Sequence, residues 1–568
     1  MEQHKQTSPA APAVGKKELE TFQRTLERYR AGKRALDSRI VEAEEFWKLR
    51  HWRSIRPQNP GEPEPASGWL VNTILSKHSD AVDAYPEPVC LAREESDRAE
   101  AEALSSILPV VLQQNDFAQV WSDVWWYKLK SGTGVYGVFW DPHKLNGLGD
   151  ISIQKVDILN LFWEPGVRDI QKSRYLFHVI LRDKGELEEI WPQLKHSWDT
   201  GAHLVRQYRQ EETTGQADQA AVVDVYYKKD HRLHYCKYVG QTILYATEND
   251  PRYAAKGLYH HGRYPFVFDP LFPEEGYPGC GYGYVDLCRD PQVSIDILNN
   301  CMLQNAVAAA TPRWFVRMDG GVNEAEYADM TQKFVHVAGR MDDDSVKQIV
   351  TQPMPQASLT YMQMKINEMK EVSGNRDVNN GGTTSSVTAA SAIAALQEAG
   401  NGLSRDMIAS AYRAFRRVVE LSIELIRQFY TLPRRFRILG QYGAAQYISY
   451  ANDGLLPRNL DGGLRLPVFD IEVEIQSETQ YKKQTYNDLA VRLYQMGVFD
   501  PQRADQALMM LGMMDFKGKT ELVRQIAQQR QLQSRQTVGY MPVADTRAAQ
   551  AAEHTYVEKA RASAGNIT

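Results

Sequence analysis

Of the residues whose types could carry chemistry, Gly512, Gly518, Lys519 and Thr520 come nearest to a known device, the loop that wraps phosphate groups in backbone amides. That loop needs four residues between its first glycine and the Gly-Lys-Thr run, because the amides must curl around the phosphates, and here there are five. Residues Ala507 to Leu511 also read as helix, not as the strand the motif requires. A helix ending at Gly512 and a second opening near Thr520 explains the same letters. His231 and His234 fall in a strand-like run, where i and i+3 side chains point to opposite faces and cannot share a metal. His260 and His261 precede Gly262 and read as a surface turn. Asp342, Asp343 and Asp344 lack the interleaved spacing and distal glutamate of a calcium loop and read as a solvated turn. The five cysteines, Cys90, Cys236, Cys280, Cys288 and Cys301, form no Cys-x-x-Cys pair and read as free core thiols of a reducing compartment. No local Ser-His-Asp or Cys-His pattern stands out, although such groups converge in space and sequence alone does not exclude them. The expectation is a protein that is not an enzyme, with no catalytic residues, no cofactor and no metal.

The elements that would position any site form a long, mixed chain. At 568 residues it exceeds what one hydrophobic core supports and suggests roughly three to four domains. No uncharged apolar run approaches the ~20 residues of a bilayer span, and Met1 to Lys17 is polar, without the apolar core of a signal peptide. A soluble, unprocessed protein with no membrane partner is expected. The 66 basic and 71 acidic residues give a net charge of −5, which argues against a chain built to grip nucleic acid. Tight phosphate binding needs clustered Lys and Arg that displace counterions, so if DNA is a partner it should slide.

Leu19, Phe22, Leu26 and Tyr29 mark one face of a helix between Lys16 and Trp52, broken by Pro57, Pro60, Pro63 and Pro65. Further helices are predicted over Trp69 to Ala84 and over Ser96 to Lys130. The second carries Trp121, Trp125 and Trp126, which could stack bases but at this spacing read as core. Strands follow at Val135–Trp140, Ile151–Val156, Tyr175–Leu181, Val222–Tyr227, Leu233–Val239 and Thr242–Tyr245, with Glu211 to Ala220 as a surface loop. A helix over Val293 to Ala310 stops at Pro312. Short strands, Trp314–Arg317 and Lys333–Ala338, lead to a helix over Ser358 to Val372 with Leu359, Met362, Ile366, Met369 and Val372 along its seam. A Gly-, Asn-, Ser- and Thr-rich stretch from Ser373 to Thr388 precedes a helix from Ala389 to Tyr430. Its Gly400 and Gly402 each cost about 1 kcal/mol relative to alanine and predict a kink. Strands return at Arg435–Leu439 and Phe469–Ile475. Tyr481 to Arg530 reads as helical and the remainder as a polar tail.

The order helix, small insert, helix, polar loop, long helix resembles the stem, clip, stem, tunnel loop and wing helix of tailed-bacteriophage portal proteins. The most telling run is SGNRDVNNGGTTSSVTAASAI from Ser373 to Ile393, continuing as AALQEAG from Ala394, which looks like the junction in portals of siphovirus type. Gly132-Thr-Gly before Val138 to Asp141, Val156 to Asn160, and His261 to Phe266 are similar to portal wing segments. The resemblance covers about residues 70–480, and its weight lies in the order of motifs that are individually weak.

The resemblance implies an α+β portal-type subunit with a helical stem, a small α/β clip, a mixed α/β wing and a helical crown. It divides the chain into an N-terminal helical extension (1–68), wing (69–280), stem helix (281–312), clip (313–356), second stem helix (357–377), tunnel loop (378–391), long kinked wing helix (392–432), wing strands (433–478), crown (479–530) and polar tail (531–568). It also implies a homo-oligomeric ring, commonly a dodecamer, at one capsid vertex of the virion. The ring would assemble in the bacterial host cytoplasm, and terminase would drive double-stranded DNA through it. Asn379, Asn380, Gly381, Gly382, Thr383, Thr384, Ser385, Ser386 and Thr388 would face that DNA. Short neutral side chains touch a moving duplex by exchangeable hydrogen bonds without the counterion release that locks it. Ile295, Leu298, Met302, Leu359, Met362, Ile366 and Met369 would pack the stem, and Ala306, Ala308, Ala309 and Ala310 would allow close approach where the channel narrows. Arg313, Trp314, Arg317, Lys333 and Arg340 of the clip would meet the terminase large subunit and later a head-tail adaptor, while major capsid and scaffolding proteins would be further partners. The alternatives are a non-channel head-tail adaptor or scaffold, usually shorter and without a two-helix stem, and a packaging ATPase, which the five-residue spacing after Gly512 speaks against.

Overall fold

The computed structural model describes residues 13–55, 63–195, 201–205, 218–311, 313–316, 346–349, 354–374, 402–439, 445–460, 463–475 and 491–497, with a few isolated positions besides. The chain divides into two compact units, residues 1–476 and 477–568. Among the described residues of the second unit, 491–495 are helical.

The first unit opens with helices α1 (Lys16–Trp47), α2 (Trp52–Ile55) and α3 (Trp69–Asp83), strand β1 (Pro86–Ala92), then α4 (Arg98–Gln114) and α5 (Phe117–Ser131). Eight strands and one helix follow: β2 (Thr133–Asp141), β3 (Asp150–Lys155), β4 (Leu161–Trp163), β5 (Tyr175–Asp183), α6 (Lys184–Ile190), β6 (Gln219–Lys229), β7 (Arg232–Val239), β8 (Thr242–Ala246) and β9 (Phe266–Pro270). The short pair β10 (Phe272–Pro273) and β11 (Gly281–Tyr282) leads into α7 (Tyr284–Ala310). Beyond it lie β12 (Arg313–Val316), β13 (Val346–Ile349), α8 (Gln356–Ser373) and α9 (Gly402–Phe429). The unit closes with β14 (Arg434–Leu439), β15 (Ala445–Tyr450), β16 (Arg458–Leu460), β17 (Gly463–Arg465) and β18 (Phe469–Ile475).

Strands β4 to β8 form an antiparallel sheet in sequence order, and β3-β2-β9 form a second. The near-continuous apolar run of β6 is explained by burial on both faces. Val223 and Val225 enter one cluster with Phe177, Val179 and Tyr238, while Ala220 and Val222 enter another with Leu187 and Val239. Residues Asp230 and His231 join β6 to β7 with φ of 51° and 61°, as a two-residue hairpin turn of the favoured hand requires. His231 is therefore a turn residue, not part of the strand that holds His234.

Helix α1 serves two cores. Leu19, Phe22, Leu26 and Tyr29, spaced by threes and fours, cover the five-stranded sheet, each worth about 1.5–3 kcal/mol when fully buried. Leu36, Ile40, Val41 and Phe46 enter the main core, which α3, α4, α5 and α9 also supply. Trp121 and Trp125 are buried there, and the Trp121 indole N–H donates to the Ala81 carbonyl at 3.0 Å.

Several expectations are corrected. The single helix over Ser96–Lys130 is two, because Asp116 adopts φ 48° and turns the chain between α4 and α5. The loop expected to reach Ala220 ends earlier, since Gln219 to Ala221 begin β6 and Ala220 is fully buried. The helix expected over Val293–Ala310 begins at Tyr284, nine residues before Val293, with Pro291 inside it. Strand β1 was not foreseen and pairs antiparallel with β18, from Pro86 opposite Ile475 to Ala92 opposite Phe469. Cys301 is exposed, whereas the other four cysteines are buried and free. Gly400 and Asn401 of the expected kink, the Lys333–Ala338 strand, Asp342–Asp344 and the phosphate-loop resemblance at Gly512–Thr520 lie outside the described residues, as does most of Tyr481–Arg530.

Glycine is required where α5 turns into β2: Gly132 has φ +86°, and a Cβ there would meet the Gly281 carbonyl oxygen at 2.1 Å. One turn earlier, Lys128 donates to Asp269 of β9 at 2.6 Å with both side chains fully buried, and burial pushes the lysine down and the aspartate up. Removing one partner leaves an uncompensated buried charge, so Asp269→Ala should lower unfolding free energy by about 3–5 kcal/mol in denaturant titration, whereas the double change Lys128→Met with Asp269→Leu should cost far less.

His261 accepts a hydrogen bond from the Arg263 N–H at its Nδ1, and burial, helped by Arg263, holds its titration down from 6.5 to about 3. Its folded-state pKa is depressed, so its contribution is complete above 6.5 and is lost as pH falls toward 3. His261→Gln should flatten the stability–pH curve across that window, read from thermal melts of both proteins.

Candidate functional site

The helix pair expected as a stem is built from its base outward. Helix α7 starts at Gly283, whose backbone N–H donates to the Asp286 carboxylate at 2.8 Å and so fixes the first turn. Gly283 sits against the end of α5, where a Cβ would lie 2.3 Å from the Lys130 carbonyl oxygen. Two residues of α1 and one beyond its end then hold the lower half of α7. Arg39 binds Glu274, just ahead of α7, in bidentate fashion at 2.9 and 2.8 Å and approaches Asp286 at 3.7 Å. Glu42 pairs with Arg289 at 2.6 Å. Beyond the end of α1, His51 meets Asp296 at 2.5 Å.

The last contact is the centre of a buried polar network. Asp296 is 0 % exposed, and its Oδ1 accepts from the Ser67 N–H at 2.9 Å, the Ser67 hydroxyl at 2.9 Å and the Gln292 amide at 3.1 Å. Its Oδ2 faces His51 Nδ1, while His51 Nε2 lies 3.0 Å from the Phe46 carbonyl, which can only accept. A proton therefore lies between imidazole and carboxylate. Gln292 Oε1 accepts from the Leu70 N–H, one of the first-turn amides of α3 that no helical carbonyl reaches. The network joins the end of α1, the segment before α3, and α7.

A second polar knot holds the start of α9. Buried Lys77 donates to the Ser404 hydroxyl at 2.9 Å, which donates in turn to Asp80 at 2.8 Å. Burial pushes the Lys77 ammonium below its ordinary range, and Asp80 opposes that shift.

Beyond Asp296 the character of α7 changes. Residues 297–310 contain no Asp, Glu, Lys or Arg, yet Ile297, Cys301, Leu303 and Val307 are exposed. That is about 20 Å of helix at 1.5 Å per residue. Helix α8 lies against α7 and buries Ile366 and Met369, while Met364 on its opposite face and Tyr361 and Val372 on its flank are exposed.

Of the residues expected to pack the stem, Ile295, Ile366 and Met369 are buried within the chain, and Leu298, Met302 and Met362 are half-buried. Leu359 is 40 % exposed and Val372 44 %, so neither packs inside this chain as a seam residue would. Arg313 and Trp314 lie in β12, opposite Ile349 and Gln348 of β13. Arg317, Lys333 and Arg340, together with Asn379, Asn380, Gly381, Gly382, Thr383, Thr384, Ser385, Ser386 and Thr388, lie outside the described residues. Sequence reasoning missed Gln292, Asp296, His51, Ser67 and Ser404. The signal for the first two was present: Gln292, Asp296 and Asn300 recur at i, i+4 and i+8 on one face of a helix, where only a buried polar network accounts for them.

No described helix is long and apolar enough to cross a membrane. The mixed helix-and-sheet structure is consistent with a phage portal subunit. The chain belongs to the phage P22-like portal protein family, whose sequence model matches residues 79–565. No curated protein matches it.

If Asp296 is what fixes the base of α7, Asp296→Ala should strand His51, Ser67 and Gln292 without their acceptor. A loss of about 3–5 kcal/mol is expected in denaturant unfolding, while Gln304→Ala, at an exposed position of the same helix, should stay near neutral.

Proposed function

We propose that this chain assembles into a homo-oligomeric ring, a dodecamer by family likeness, at one capsid vertex of the virion. Double-stranded DNA is packaged through its channel by terminase and later leaves through it. The observation that carries the reading is the charge-free, exposed distal half of α7 beside the exposed apolar side chains Tyr361 and Met364 of α8. A helix surface of this kind is unfavourable in water for a lone chain. Around a ring, one subunit's Ile297 and Val307 can be covered by the next subunit's Tyr361 and Met364 in a heterologous contact that closes at the right rotation. The distal half of α7 is itself neutral, so a polyanion moving past that helix meets neither a lock of cations nor a repelling wall.

In this reading α7 and α8 are the stem, β12 and β13 belong to the clip that docks terminase and then head-tail adaptors, and residues 378–391 are the tunnel loop. Capsid and scaffolding proteins surround the wing. The matched family is P22-like, which supports a portal without confirming the siphovirus type suggested by Ser373 to Ile393. Assembly in the host cytoplasm belongs to the same proposal, as does the absence of enzymatic activity.

Electron micrographs of the purified protein, averaged end-on, should show closed rings with a central hole. Met364→Glu combined with Ile297→Glu should convert them to monomers of unchanged helix content, and rings surviving both charges would reject the stem as the contact. Lys at Asn379, Asn380, Thr383 and Thr384 should slow packaging sharply, an unchanged rate favouring a mere linker. Deleting residues 313–350 should give capsids that assemble empty.

A further inference from the structure

Away from the stem, a cleft of about 590 Å³ opens between the loop at Arg168 to Gln171, the end of β6, strand β9 and the flank of α9. Its lining carries four cations, Arg168, Lys228, Arg263 and Arg417, against two carboxylates, Asp169 and Glu420. The carboxylates are already engaged. Glu420 accepts from Arg263 at 3.0 Å, and Asp169 accepts from the Gln171 N–H at 3.0 Å, capping the turn that follows it. Arg168 leans outward to Glu275 at 2.9 Å. Lys228 and Arg417 have no carboxylate within ion-pair distance among the described residues. Lys228, half-buried, gives one of its three hydrogens to the Gln171 carbonyl and lies 4.7 Å from the centre of the Tyr264 ring.

The walls are fixed before any ligand arrives. Gln171 is clamped to Tyr264 in both directions, its amide donating to the Tyr264 carbonyl at 3.1 Å and its oxygen accepting the Tyr264 N–H at 2.8 Å. Gly279, with φ +94°, lets the chain pass so close that a Cβ would lie 2.9 Å from the Arg168 carbonyl oxygen. Strand β9, with Phe266, Val267 and Phe268 all buried, backs the cleft, and this water-poor wall strengthens any charge pairing beside it. Burial lowers the Lys228 pKa, so its charge is held there at a cost that an incoming anion would offset.

We propose that this cleft binds a phosphate group, with Lys228 and Arg417 as its direct ligands and Arg263 as a supporting cation. A guanidinium fork and an ammonium lining one cleft match the chemistry and charge of a phosphate oxygen set. The source is either the phosphodiester backbone of DNA lying against the body of the subunit or a free phosphate. The site is independent of the channel reading, since none of its residues belongs to α7 or α8.

The test uses the full-length protein in chloride buffer at low ionic strength. Inorganic phosphate is titrated by calorimetry, and a short fluorescent DNA duplex by anisotropy. Binding that weakens with salt is expected. Arg417→Gln, at an exposed position, and separately Lys228→Met should each weaken it by about tenfold or more, while Arg437→Gln, an exposed cation elsewhere, should not. Duplex bound without phosphate identifies the DNA backbone as the source, and phosphate bound without duplex identifies the free anion. Failure of both probes to bind, or affinities in Arg417→Gln and Lys228→Met equal to wild type, would overturn the proposal. Ring images of each variant show whether assembly is intact, which keeps failure of this site distinct from failure of the ring.

Discussion

Asp296 sets the terms for the rest of the structure. A carboxylate fully removed from water is tolerable only when its oxygens are matched, and the four groups that match them come from Gln292 on its own helix, Ser67 ahead of α3 and His51 beyond α1. Their shared need for partners fixes where α7 leaves the body. Arg39, facing Asp286, and Glu42, paired with Arg289, then hold its first turns to α1. The polar anchoring is concentrated below residue 297, so the remainder of α7 can do without charge of its own.

The body answers to a different constraint. Its sheets are small, and each needs a helix to cover it; α1 does this for the five-stranded sheet with its first half and joins the main core with its second. The ladder between β1 and β18 closes the unit across nearly its whole sequence, and α9 threads Phe415, Val418 and Ile426 into the same core as Phe117 and Trp121. Ordering the N-terminal helix is therefore inseparable from ordering the core, which gives that segment a structural task despite its falling largely outside the matched family region.

Local periodicity made much of this legible in the sequence. The 3–4 spacing from Leu19 to Tyr29 and the apolar runs of β5 to β8 are local signals, and the structure places elements there. What was not legible depends on distant partners or single dihedral angles. Strand β1 contains two prolines and becomes a strand only because β18 supplies its ladder. The α4–α5 break rests on one positive φ at Asp116, within an Asn115-Asp116 pair that tolerates a turn but lies between two apolar helical patterns. At the site the apolar positions Ile295, Ile366 and Met369 were readable from helical spacing. Leu359 follows the same spacing but lies where α8 has left the body. The buried polar anchor was passed over because its partners at His51 and Ser67 are more than 200 residues away in sequence.

The central claim is that the distal stem is a subunit contact, and Cys301 offers a native probe of it, being exposed on α7 while the other four cysteines are buried. Maleimide labelling of the isolated chain and of purified rings, followed by mass analysis of the modified peptide, compares its accessibility in the two states. The account predicts rapid labelling of Cys301 in the separate subunit and strong protection in the ring. Equal rates in both would contradict it.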